Sequence, residues 1–150
     1  MFLADTNVIS ELRKGAKTNP GVVSFFLGAG LEVFLPAQVL GELRRGIENL
    51  RYRGDLPQAR RLEEWLESVV KEFEQRILGF DSECAQTWGT LMSPNNQNPV
   101  DKQIAAIALV HDLTMVTRNT SHFSGTGVRL LNPFAGDVHP VKSTGTRKSS

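Results

Sequence analysis

Apolar residues along the chain fall into short uncharged runs separated by longer stretches of helical period. Phe2, Leu3 and Ala4 form one run that ends at Asp5, and Val33, Phe34 and Leu35 form a second that ends at Pro36. Each reads as a buried strand. Asp5, Thr6 and Asn7 are residues that cap helices, so a helix is expected from about Asn7. Pro20 opens a helical segment through Val22, Val23, Phe25, Phe26 and Leu27, and Gly28 to Gly30 closes it. From Ala37 to Leu50 the residues Val39, Leu40, Leu43, Ile47 and Leu50 share one helical stripe.

The clearest period predicts a helix from about Pro57 to Arg76, with Leu62, Trp65, Leu66, Val69, Phe73 and Ile77 on one face. A helix over Ser82 to Met92, capped by Asp81, aligns Cys84, Ala85, Trp88 and Leu91. After the polar loop Ser93 to Asn98, the run Asn98, Pro99, Val100, Asp101 offers a capping residue, a proline suited to the first helical position and a first-turn acid. That helix is expected to reach about His111. Leu113 to Thr117 and Val128 to Leu131 complete the strands, with a turn over Arg118 to Phe123. Short buried strands alternating with helices imply an α/β fold, a single domain with a mainly parallel central sheet flanked by helices. The domain is expected over residues 1–138, followed by a flexible tail over 139–150 that is rich in Lys, Ser, Thr and Gly.

At 150 residues one core is expected, and a formal charge of +1 gives no global field for polyanions. No apolar run is long enough to span a bilayer. Cys84 has no cysteine partner, which suits a reducing, cytoplasmic setting. Charge is nonetheless split along the chain. Between Arg44 and Arg61 six arginines face only Glu48 and Asp55, a net +4, whereas Leu62 to Glu74 carries five glutamates against Lys71, a net −4. Arg44, Arg45, Arg51 and Arg53 could steer phosphates. The structural alternative is a solvated helix face paired with the acidic helix beside it.

Candidate chemistry follows from position. Ligands of open parallel sheets bind beyond the carboxyl ends of the strands, where Asp5 and Asn119 are expected to lie on one rim. Asp101 heads the stripe of Ile104, Ala105, Ala108 and Leu109, and Glu42 borders the Val39, Leu43, Ile47 stripe. Each acid has a structural alternative: Asp5 as a cap, Asp101 as a first-turn acid, Glu42 as a flank residue. Were the three to converge, their repulsion, about 1–4 kcal/mol per pair at about 4 Å, would favour protonation or a bound cation. Hard oxygen donors without thiolate suit Mg²⁺ or Mn²⁺, and such ions suit phosphodiester hydrolysis.

The run from Leu3 to Leu12 (Leu-Ala-Asp-Thr-Asn-Val-Ile-Ser-Glu-Leu), Glu42-Leu43 before Gly46-Ile47, Asp101 with Ile104 to Ala106, Thr117-Arg118-Asn119 ahead of Phe123, and the closing Asn132-Pro133-Phe134 together resemble PIN-domain ribonucleases, toxins of the VapC and FitB type. The resemblance spans about Leu3 to Phe134. It implies a parallel-sheet domain whose acids bind Mg²⁺ or Mn²⁺ and hydrolyse RNA to 5′-phosphate and 3′-hydroxyl ends. It also implies restraint by a small antitoxin protein, and a homodimer.

By that resemblance Asp5, Glu42 and Asp101 are metal ligands, and Asn119, where many members carry a fourth aspartate, joins them as a catalytic residue orienting water. Thr6 and Asn7 would hold Asp5 and the substrate phosphate, Arg44 and Arg45 would position RNA, and His122 could donate to a phosphate. The loop Pro94 to Pro99 departs from the family's arginine- and glycine-containing approach. Two other readings remain at this point: a catalytically inactive PIN-like module that docks a protein partner through its acidic pocket, and a phosphatase using Asp5 as nucleophile. The phosphatase wants a second acid two positions on, where Asn7 stands.

Overall fold

The computed structural model describes residues 1–135. Five strands form one parallel sheet in the order β3-β2-β1-β4-β5, where β1 is Phe2–Ala4, β2 Val33–Pro36, β3 Ile77–Leu78, β4 Thr114–Val116 and β5 Leu130–Leu131. Six helices connect them: α1 (Thr6–Glu11), α2 (Pro20–Ala29), α3 (Ala37–Tyr52), α4 (Leu56–Glu72), α5 (Ser82–Leu91) and α6 (Pro99–Val110). The expected α/β architecture is therefore the one observed. Where the domain ends and whether a tail begins after Val138 lie outside the described residues.

Alternation along the strands builds a core on both faces of the sheet. Ala4 and Val116 point to one side, where they meet Val8, Ile9, Val22, Phe25, Val39 and Phe73. Leu3 and Met115 point to the other, where they meet Ile104, Ala105, Ile107, Ala108 and the buried Cys84. Small alanines on α6 let that helix lie close to both the sheet and α5. A third cluster, Ile47, Ala59 and Leu66, joins α3 to α4 with the half-buried Trp65 packed against it.

Three expectations are corrected. The helix expected to reach Arg76 stops at Glu72, because Phe73 leaves helical geometry (φ −100°, ψ 13°) and Ile77 and Leu78 pair with Leu35 and Pro36 as an edge strand. Ile77 sits in phase with the helical stripe, so its apolar side chain carried no sign of the switch. Asn98 does not cap α6 through its side chain. It takes a left-handed conformation (φ 51°, ψ 56°), which asparagine tolerates, and turns the chain into Pro99. The last strand is Leu130–Leu131, shorter than expected, with Val128 buried ahead of it. Asp81 does cap α5, accepting from the Cys84 amide at 2.9 Å, as its position predicted.

The segment after β5 closes over the start of α2. Phe134 lies under the Arg118 guanidinium, 3.9 Å from ring centroid to carbon, and a side chain at Gly21 would meet the Pro133 carbonyl oxygen at 2.1 Å. Only a glycine fits there, since the obstacle is backbone. Gly21→Ala is expected to destabilise the fold by about 1–3 kcal/mol through overpacking, read as a lower midpoint in chemical denaturation with an unchanged slope.

Candidate metal centre at the carboxyl edge of the sheet

Parallel pairing of Ala4 with Val116 places Asp5 and Thr117 side by side where β1 and β4 end. The Asp5 amide donates to the Val116 carbonyl at 2.9 Å, extending the ladder by one bond and leaving the carboxylate at the rim. There it caps α1, accepting from the Thr6 amide at 2.8 Å. Its other oxygen accepts from the Thr117 hydroxyl at 2.8 Å and the Asn7 amide group at 3.3 Å. Asp5 is only 5% exposed, and its three donors offset part of the cost of burying a charge.

Thr117 is the hub of this network; the sequence places it in the Thr117-Arg118-Asn119 motif without assigning it a role. It is fully buried; besides donating to Asp5, its hydroxyl accepts from the Asn7 side chain at 3.3 Å and the Asn119 amide at 3.0 Å. Asn7 also accepts from the Arg118 amide at 3.0 Å, pinning the chain after β4 to α1. A threonine closing an otherwise apolar strand, just before the polar rim, is the signal that could have found it.

Two helices bring the other acids to the same edge. Glu42 lies one turn inside α3, and the Thr6 hydroxyl donates to it, so Thr6 links Asp5 through its amide and Glu42 through its side chain. Asp101 is in the first turn of α6, partly buried, with His122 Nδ1 3.0 Å from its carboxylate. Asn119 presents its backbone to the network, donating to Thr117 and accepting from the His122 amide at 3.0 Å. Its side chain makes no hydrogen bond among the described residues.

The acids act on one another. Burial raises the Asp5 pKa above its ordinary value, bonds from Thr117 and Thr6 pull it down, and the Asp101 charge pushes it up again. Asp101 is raised by burial, lowered by His122 and raised by Glu42. The buried Asp5 and partly buried Asp101, with the exposed Glu42 beside them, are oxygen donors of the kind a hard cation takes. Among the described residues no three acid, histidine or cysteine side chains stand close enough to enclose an ion. Glu42 accepts from the Thr6 hydroxyl, and Asp101 lies against His122.

The arginines of α3 are largely spoken for. Arg44 pairs with Glu63 at 2.6 Å and Glu48 at 3.4 Å, and Arg51 pairs with the same two acids at 2.9 Å and 2.6 Å. For these two residues the pairing alternative is what the fold realises. Arg45 is exposed, with no ion pair among the described residues. The phosphatase reading gains nothing, since Asn7 is bonded to Thr117 and Arg118.

A family model for the PIN domain matches residues 2–127. The chain is 36% identical over 141 residues to toxin FitB of Neisseria gonorrhoeae, covering 89% of this chain and 99% of that protein. It is 31% identical over 144 residues to VapC ribonuclease Y4jK of Sinorhizobium fredii, covering 89% and 98%. Among solved structures, FitAB bound to a DNA fragment superposes with a TM-score of 0.80 at 33% identity, covering 93% of this chain and 99% of that one. FitAcB from Neisseria gonorrhoeae gives 0.79 at 35% identity, covering 90% and 99%. The family model and relatives more than 30% identical over 89% of this chain show that the chain belongs to the PIN domain family.

Proposed function

We propose that this protein is a metal-dependent endoribonuclease that hydrolyses RNA phosphodiester bonds, the toxin of a toxin-antitoxin pair. The observation that carries the reading is the buried Asp5 at the carboxyl edge of the sheet, held by Thr117, tied through Thr6 to the exposed Glu42 and acted on by the charge of the partly buried Asp101. Asp5, Glu42 and Asp101 would hold Mg²⁺ or Mn²⁺, which when bound supplies Lewis-acid polarisation of a phosphoryl oxygen.

The chain's own residues do the rest. Thr117, Thr6 and Asn7 donate to the Asp5 carboxylate and aim it at the rim. His122 orients Asp101 and stands at the rim, where it would donate a hydrogen bond to a phosphate. Asn119, on the turn between Thr117 and His122, has an amide free to orient water or a phosphate. Arg45 adds positive charge on the Glu42 helix.

The names of the relatives support both halves of the reading: one is a VapC ribonuclease and another a toxin, and FitAB is a complex solved on DNA. A small antitoxin is accordingly the proposed protein partner, with a homodimer in the cytoplasm as the proposed working form. Among the described residues no helix is long and apolar enough to cross a membrane. Phe73 is buried in the chain's own core and Trp65 packs on α3, so a dimer contact would draw on other exposed apolar residues such as Leu27 and Leu31.

Cleavage of single-stranded RNA in the presence of Mn²⁺ is the direct test, with 5′-phosphate ends on the products. Asp101→Asn should lower kcat by roughly 10²-fold or more, as expected when several kcal/mol of charge stabilisation is lost. Absence of Mn²⁺-dependent cleavage by the wild type, with a partner's binding lost in Asp101→Asn, would favour the inactive docking module.

Stability gives a second readout. In the metal-free chain burial holds the Asp5 and Asp101 carboxyls above their ordinary values, so the folded state keeps protons that the unfolded chain has already released. Stability contributed by these groups is greatest below the ordinary carboxylate range and falls as pH rises through the raised values. With chelator present, Asp101→Asn should therefore melt above the wild type at neutral pH, and the gap should close on acidification; differential scanning calorimetry across pH measures it.

A further inference from the structure

With Arg44 and Arg51 engaged by Glu48 and Glu63, cations for a polyanion must be sought elsewhere, and they line a groove beside the acids. An outer cavity of about 400 Å³ is walled by Arg13, Lys14, Gln58 and Arg61 over a floor of Leu62 and Trp65. It shares Arg13, Leu62 and Trp65 with an inner cavity of about 280 Å³ that reaches Thr6 and Glu42. The two form one path from the acid rim across α1 and between α3 and α4. No acid lines the outer cavity. Lys14 pairs with Glu11 at 2.9 Å, whereas Arg13 and Arg61 have no carboxylate partner among the described residues.

We infer that this groove is a subsite for single-stranded RNA, holding nucleotides beyond the scissile phosphate; the inference rests on the ribonuclease reading. Arg13 and Arg61 take backbone phosphates, and the half-buried Trp65 offers a face for a base. Cations tracking a backbone beside an aromatic platform are the combination that binds single strands without sequence readout. The position also fits the charges: the Glu42 end of the path repels phosphate unless a cation sits there, while the outer end attracts it. The strand would thus be anchored at Arg13 and Arg61 and enter the acid rim only where an ion offsets the carboxylates.

The test is binding of a fluorescein-labelled single-stranded oligoribonucleotide, followed by anisotropy in chelator so that no cleavage occurs, over a series of salt concentrations. Arg13→Gln/Arg61→Gln should bind about 10-fold more weakly at low salt. Its slope of log affinity against log salt should be shallower by about 1.4, the value for two lost phosphate contacts on a single strand. Arg129→Gln serves as control: Arg129 pairs with Asp112 at 2.9 Å, beside the opposite end of β4, and its loss should change neither quantity. Melting curves confirm that the variants fold.

Unchanged affinity and slope in the folded double variant would overturn the inference and leave the groove to a protein partner. If the wild type cleaves RNA in Mn²⁺ while the double variant binds normally, this subsite falls and the ribonuclease reading stands. If the wild type fails to cleave yet binds with the predicted dependence on Arg13 and Arg61, the catalytic reading falls and the subsite stands.

Discussion

Burial of the Asp5 carboxylate is the constraint around which the rim is organised. A charge that is 5% exposed at the end of the central strand needs donors, and the fold supplies them from three places: the first amide of α1, the Asn7 side chain and the Thr117 hydroxyl across the sheet. The last of these depends on register. Ala4 opposite Val116 sets Asp5 beside Thr117, and a shift of one residue would turn Thr117 to the other face and remove its hydroxyl. Packing on both faces of the sheet fixes that register, because Leu3 and Met115 fill one core while Ala4 and Val116 fill the other. The hydrophobic core and the polar site are thus two consequences of the same strand pairing.

That dependence explains what could be read from the residues alone. Asp5 follows an uncharged run, and Asp101 heads an apolar helical stripe, so local periodicity fixed which way each carboxylate faces. Glu42 was readable in the same way from its place beside Val39 and Leu43. The contacts that join these acids were not readable, since they cross 36 residues from Thr6 to Glu42, 112 from Asp5 to Thr117 and 21 from Asp101 to His122. Periodicity describes one element at a time. It also missed β3, where two residues suffice to pair because β2 already presents an open edge, and it gave Asn98 a capping role that its left-handed backbone does not permit.

Charge counting failed for a related reason. The excess of arginine on α3 and of glutamate on α4 was visible along the chain, but only the packing of the two helices shows that Glu48 and Glu63 each bridge Arg44 and Arg51. Each exposed pair contributes little by itself. Four contacts sharing two acids nevertheless fix how α3 and α4 lie, above the Ile47, Ala59 and Leu66 contact. The pairing takes Arg44 and Arg51 out of play, while the arginines that line the groove are Arg13 and Arg61.

The result is a surface with opposite signs at the two ends of one path. At the rim the carboxylates disfavour phosphate, whereas along the groove Arg13 and Arg61, without a carboxylate partner among the described residues, favour it. A divalent cation at the rim reverses the first sign without altering the second. On the proposed reading such an arrangement would couple the two halves of the site: the groove would gather a polyanion at any time, and the strand would reach the acids only with the ion present. The neutral total charge is therefore no obstacle to binding a polyanion, because what matters within a Debye length of about 8–10 Å is the local sign, and the fold has sorted the signs by position.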